Sequence, residues 1–163
     1  MSDTRAPAYP EIARLIPHAE PMRLLSRVLD HDAESTTCLV EPDDHVLFHD
    51  ADGRVPTWLG IEYMAQCIAA HAGLEVAERG SPPRIGYLLG SRSVRFHSAS
   101  LPASAPIEVS ARHLRGRPGL GAMSFACEVV ARGGAERREL VAAGTLNVAL
   151  APAPTDAESK ASP

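Results

Sequence analysis

Residues 55–73 read Val55-Pro-Thr-Trp-Leu-Gly-Ile-Glu-Tyr-Met-Ala-Gln-Cys-Ile-Ala-Ala-His-Ala-Gly73. This run decides the fold. Between Pro56 and Leu74 the single formally charged side chain is Glu62, and the stretch is long enough for about five helical turns. Thr57 behind Pro56 is placed to cap a helix from about Thr57 to Glu78, and Gly80-Ser-Pro-Pro83 stops it. A helix apolar on almost every side needs a whole sheet to cover it, and one sheet covers only part. A second subunit is expected to cover the rest. An acid in so apolar a setting is paired, kept protonated, or used chemically.

Outward from the helix the pattern is that of strands. Glu11–Ile16 forms a short helical turn closed by Pro17, followed by strands at Met22–Leu29 and Thr36–Glu41. Residues 42–56, with Asp43, Asp44, Asp50 and Asp52, read as a loop. Strands are expected at Ile85–Phe96, Ile107–Leu114, Gly121–Ala131 and Leu140–Leu150, with hairpin turns at Gly116–Gly119 and Arg132–Ala135. The fold class is therefore α+β, an antiparallel sheet wrapped around one long central helix. Residues 1–9 read as a flexible leader, 10–150 as the domain, and 151–163 as a Pro/Ala-rich disordered tail.

Composition narrows the function classes. A chain of 163 residues is expected to form one domain. Its net charge of −4 disfavours nucleic acid as a partner. No apolar run reaches membrane-spanning length, and the N-terminus lacks the pattern of a signal peptide. Cys38, Cys67 and Cys127 are odd in number and lack CxxC spacing, so buried reduced thiols in a cytoplasmic protein are expected. Residues 84–117 carry six arginines (84, 92, 95, 112, 115 and 117) against Glu108 alone. This basic segment is either solvated strand surface or a landing zone for an acidic macromolecule or a phosphate-bearing ligand.

Other constellations carry less. His45 and His49 with the loop aspartates suggest a metal site only if they lie on a helix, and Pro42 argues for a loop. No metal and no cofactor is expected. His18, His31, His71, His97 and His113 show no clustering in sequence and are read as surface or structural. Ser26, Ser93 and Ser124 sit in no nucleophile elbow, and Gly116–Gly121 lacks the lysine of a phosphate loop.

Three segments together carry a resemblance. Pro17-His-Ala-Glu-Pro-Met-Arg-Leu-Leu-Ser-Arg-Val28, Glu62-Tyr-Met-Ala-Gln66 and Val94-Arg-Phe-His-Ser-Ala-Ser-Leu-Pro102 resemble, in order and spacing, parts of the hotdog-fold 3-hydroxyacyl-acyl-carrier-protein dehydratases. The form Val-Pro-x-Trp-x-Gly-Ile-Glu-Tyr-Met-Ala-Gln is similar to the ApeP-like dehydratases of aryl polyene clusters. The resemblance implies loss of water from a 3-hydroxyacyl thioester held on an acyl carrier protein, without cofactor. It also implies a homodimer or heterodimer whose sheets join edge to edge, with a histidine and a helix acid meeting between subunits.

On this reading Glu62 and His49 are the catalytic candidates, with His45 the fallback. Thr57, Trp58 and Gln66 are candidate substrate-binding residues. The family loop reads His-Phe-Pro-Gly-x-Pro-x-x-Pro-Gly, where this chain has His49-Asp-Ala-Asp-Gly-Arg-Val-Pro-Thr57, one residue shorter. The proton α to a thioester needs a base of near-neutral pKa, which an imidazole supplies. The departing hydroxyl needs an acid, which a carboxyl group in an apolar setting supplies. A hotdog acyl-thioesterase and a non-catalytic subunit of a heterodimeric dehydratase remain as alternatives.

Overall fold

The computed structural model describes residues 9–42, 47–81, 84–134 and 137–151. The elements run α1 (Ile12–Leu15), β1 (Arg27–His31), β2 (Ser35–Val40), β3 (Val55–Pro56), α2 (Leu59–Ala77), β4 (Gly86–Phe96), β5 (Ser100–Leu101), β6 (Ile107–Arg115), β7 (Met123–Gly133) and β8 (Arg137–Leu150). Six strands form one antiparallel sheet in the order β1-β2-β6-β7-β8-β4, and β3 and β5 pair as a small second ladder. This is the expected α+β architecture.

The strands place alternate residues inward, as the two-residue period of a strand requires. Ile107, Val109 and Ala111 of β6 are buried, as are Phe125, Cys127, Val129 and Ala131 of β7. They pack on α2, whose Leu59, Tyr63, Met64, Cys67, Ile68, Ala70 and Leu74 are also buried. Gly73 is where α1 crosses α2: a Cβ there would lie 2.1 Å from the Leu15 carbonyl oxygen. All three cysteines are buried free thiols.

Most strand ends shift by no more than three residues, β8 beginning at Arg137 rather than Leu140, and two other differences bear on the site. The strand expected over Met22–Leu29 begins only at Arg27, because residues 19–23 turn through Met22 N–H to Ala19 O and Arg23 N–H to Ala19 O, with a cis Glu20–Pro21 peptide. Leu24 and Leu25 are buried all the same, so the apolar run that read as strand is an irregular segment fastened to α2. The helix starts two residues late. Thr57 does not cap it: its hydroxyl donates to Ser98 O (2.8 Å), and Trp58 takes the N-cap position in helical geometry with no side-chain cap. Tyr9, counted with the leader, is engaged, its hydroxyl accepting the His31 N–H (3.0 Å). Residues 1–8 and 152–163 lie outside the described residues.

Strand β4 lies at one edge of the sheet. Tyr87, Leu88, Leu89 and Phe96 on it are exposed, as is Ile85 just before it. A long edge strand with apolar side chains and open backbone groups is a template for pairing with another chain.

Candidate functional site

Glu62 stands on the first turn of α2. Its side chain is about one-third exposed (34%) at the rim of a cavity, so the acid is neither deeply buried nor on a solvated stripe. Gln66, one turn later and fully buried, holds it: Gln66 Nε2 donates to Glu62 Oε1 (2.8 Å) and to Met22 O (2.7 Å), and Gln66 Oε1 accepts the Leu24 N–H (2.9 Å). The backbone fixes the amide's orientation, since an N–H must meet the oxygen and a carbonyl the nitrogen. Gln66 thus ties the 22–24 segment to the helix and aims the carboxylate.

The imidazole beside Glu62 is His18, whose Nε2 lies 3.6 Å from the same Oε1. Both contacts fall on Oε1. Sequence reasoning passed His18 over as a surface or structural residue. The available signal was its place in the 17–28 segment, the one Gln66 fastens beside Glu62. His49 lies in the loop before β3, half-buried, and it does not line the Glu62 cavity. His45 lies outside the described residues.

The cavity, about 150 Å³, runs between α2 and the start of β4. Ala65, Ile68, Ala69 and Ala72 form its helix wall, spaced so that one face of α2 is presented. Tyr87 and Leu88 of β4 and Val148 and Leu150 of β8 close the other side. Its ionisable groups besides Tyr87 are His18, Glu62 and Arg84. The arrangement suits an apolar chain lying along the helix with its reacting end at Glu62. Trp58, 58% exposed, and Thr57 lie outside this wall.

The loop acids are occupied locally. Arg54 pairs with Asp50 (3.3 Å) and Asp52 (2.7 Å), and the Arg54 backbone N–H, assisted by that of Asp52, holds Asp50 below the ordinary carboxylate range. Asp43 and Asp44 are outside the described residues, and among those described no cluster of metal-binding side chains is present.

Three histidines read as unclustered do meet, at the other end of α2. Thr36 Oγ1 bridges His31 Nδ1 (2.7 Å) and His71 Nδ1 (2.8 Å), and the His71 and His113 rings both pack on Phe125. Burial pushes His71 down to about 4, with His31 and then His113 adding to the effect. His31, Thr36 and His71 thus form a hydrogen-bonded polar seam, which His113 adjoins only through the Phe125 ring.

The basic segment is continuous in sequence but divided in space. Arg92 and Arg95 are on edge strand β4, whereas Arg112 and Arg115 are on β6, with β7 and β8 between them. Glu108 pairs with Arg132 (3.0 Å) and Arg138 (2.9 Å).

Comparison with known proteins agrees with this architecture. No curated protein sequence matches the chain. Among solved structures, the dehydratase heterocomplex ApeI:P from Xenorhabdus doucetiae is similar at a TM-score of 0.79 and 28% identity, covering 93% of this chain and 96% of that one. A thioesterase family protein from Silicibacter pomeroyi (TM-score 0.57, 12% identity, 78% of this chain and 85% of that one) shares the fold. So does the PaaI protein of the E. coli phenylacetic acid degradation operon (TM-score 0.53, 10% identity, 74% and 79%). The ApeP-like family, described as ApeP dehydratase, matches residues 10–160. The chain is a hotdog-fold protein and belongs to the ApeP-like dehydratase family.

Proposed function

We propose that this chain is a dehydratase subunit that removes water from 3-hydroxyacyl thioesters delivered on an acyl carrier protein, in fatty-acid-like or aryl polyene synthesis. One observation carries the reading: a carboxylate oriented by a buried amide, with an imidazole 3.6 Å away, at the rim of an apolar cavity. Glu62 is the acid that protonates the departing hydroxyl, and Gln66 is its positioning residue. His49, contributed across a subunit interface, is the base that takes the proton from C2. The C2–H electron pair becomes the C2=C3 double bond as the C3–O bond breaks, and the hydroxyl leaves as water with the proton from Glu62. The backbone N–H at Thr57 stabilises charge on the thioester oxygen near the positive end of α2, and exposed Trp58 shields the entering thioester. His18, beside Glu62 in the same chain, holds the carboxyl group and relays its proton.

The second subunit covers the apolar edge of β4, as a homodimer or a heterodimer with another hotdog chain. The similarity to a subunit of a heterocomplex and the shortened His49 loop support the heterodimer. Arg92 and Arg95, exposed on that strand, are proposed to dock the acidic carrier protein. Reversing their charge then weakens carrier binding steeply at low salt and spares small thioester analogues.

The test is enoyl-thioester formation or hydration followed by absorbance, with the chain alone and with a co-purified hotdog partner. Glu62→Gln and His49→Ala are each expected to lower turnover on the order of 10²–10⁴-fold. Full activity in Glu62→Gln overturns the proposal. Loss in His18→Ala without loss in His49→Ala moves the base into the same chain. Thiol release in place of enoyl product favours a thioesterase.

A further inference from the structure

The Glu62 cavity has a second polar end. Thr57 is bonded to Ser98, just past the end of β4, so the last residues of β4 lie near the N-terminal end of α2. The beginning of β4 therefore lies toward the other end of the helix. Gly86 pairs with Leu150, Ala151 N–H donates to Ile85 O (2.8 Å), and Leu150 lines the cavity together with Ala72. Arg84 belongs to this far end. Its Nη2 donates to Ala151 O, while its Nε is buried and has no hydrogen-bond partner among the described residues. That Nε is closed off by protein atoms, so what the cavity meets at this end is the guanidinium's charge, beside walls of alanine, isoleucine and leucine that carry no acid there. Arg84 is also the one arginine or lysine in the cavity wall.

From Glu62 to Ala72 is ten residues of helix, about 15 Å. We propose that Arg84 is a specificity residue that ends the acyl channel and selects chains bearing an oxygen acceptor, a carboxylate above all, at the end distant from the thioester. This rests on Glu62 marking the thioester end, as the dehydratase reading has it. An extended acyl chain with its C3 at Glu62 lies against Ala65, Ile68, Ala69 and Ala72, and its distal oxygen accepts from Arg84. A plain alkyl chain fills the same groove and gives the guanidinium no counter-charge. The alternative use of Arg84, a clamp on the Ala151 carbonyl, gives no preference among ligands.

The test is binding, independent of turnover. Unreactive 3-hydroxyacyl pantetheine amides ending in methyl, hydroxyl or carboxylate are titrated calorimetrically in a series of chain lengths. The protein is the full chain, with its hotdog partner where one co-purifies. At one length the carboxylate ligand is expected to bind about tenfold or more tighter than the methyl ligand, with hydroxyl between, as a charge-assisted hydrogen bond provides. Shorter carboxylates gain nothing, which separates contact with Arg84 from general attraction to a basic surface. Arg84→Gln and Arg84→Leu bring the two ends within about twofold while keeping the methyl ligand's affinity, because the charge-assisted contact is gone. Equal affinities in the wild type, a preference without length dependence, or a preference that survives both substitutions overturns the proposal. So does failure of every ligand to bind. Intact selectivity without dehydration of the matching thioesters overturns only the dehydratase reading.

Discussion

Gln66→Leu separates the two tasks of one buried amide. The substitution is close in size and leaves the helix intact, but it removes the partners of Leu24 N–H and Met22 C=O and releases Glu62 Oε1. Leaving the buried Leu24 N–H unmet costs roughly 1–3 kcal/mol, and the part-buried Met22 C=O, open to water, adds less. For a domain of this size that lowers Tm by roughly 2–12 °C. The Glu62 side chain, freed from its bond, loses its aim, and kcat is expected to fall on the order of 10–100-fold with KM little changed. Gln66→Glu discriminates further. It keeps an acceptor for Leu24 N–H but sets a second carboxyl beside Glu62, so one of the pair is forced toward its neutral form and the acid limb of the pH–rate profile moves upward. Scanning calorimetry and a pH series of thioester turnover read these effects. A Gln66→Leu protein melting within about 1 °C of wild type would refute the reasoning, because it would mean that water satisfies the 22–24 backbone.

Gly73→Ala is expected to destabilise by about 1–3 kcal/mol, because its Cβ would lie 2.1 Å from Leu15 O and force α1 off α2; chemical denaturation measures it. Stability is expected to depend on His71. Its folded value of about 4 lies below the usual 6.5, so the stability it contributes is complete above pH 6.5 and lost as the pH falls toward 4, up to about 3 kcal/mol. His71→Gln then flattens that part of the denaturation-against-pH curve, and an unchanged slope counts against the assignment. The thiols of Cys67, pushed well up by burial, and Cys127, pushed up to about 12, are expected to resist a thiol-specific reagent at neutral pH until the chain unfolds. Rapid labelling of the native protein would contradict their burial.

Much of the fold was legible because its signals are local. An apolar run of helical length with a lone acid reads as the central helix, and the inward alternation Ile107, Val109, Ala111 reads as strand. The misread segment, 22–26, is instructive. Its apolar residues are buried, as a strand's would be, but their backbone partner is a glutamine side chain from a helix 42 residues away, which no local pattern reports. Thr57 misled in the same way. A threonine after Pro56 is a good cap, yet its hydroxyl is spent on Ser98. The basic segment also looked like one patch because sequence neighbours were counted together, while the strand order β6-β7-β8-β4 separates them.

By itself, the sequence determined the fold class, through an apolar helix and alternating strands, and marked Glu62 as the acid to watch, through the cost of charge in apolar surroundings; Gln66, one helical turn beyond it, came with the family resemblance. Tertiary structure alone decided which distant groups share that acid's cavity. His18 precedes it by 44 residues and Arg84 follows it by 22, and they reach the same cavity from a turn before the sheet and from the foot of its edge strand. Such meetings depend on how antiparallel strands are ordered and on where a buried amide pins a loop, and neither leaves a periodic trace in the chain.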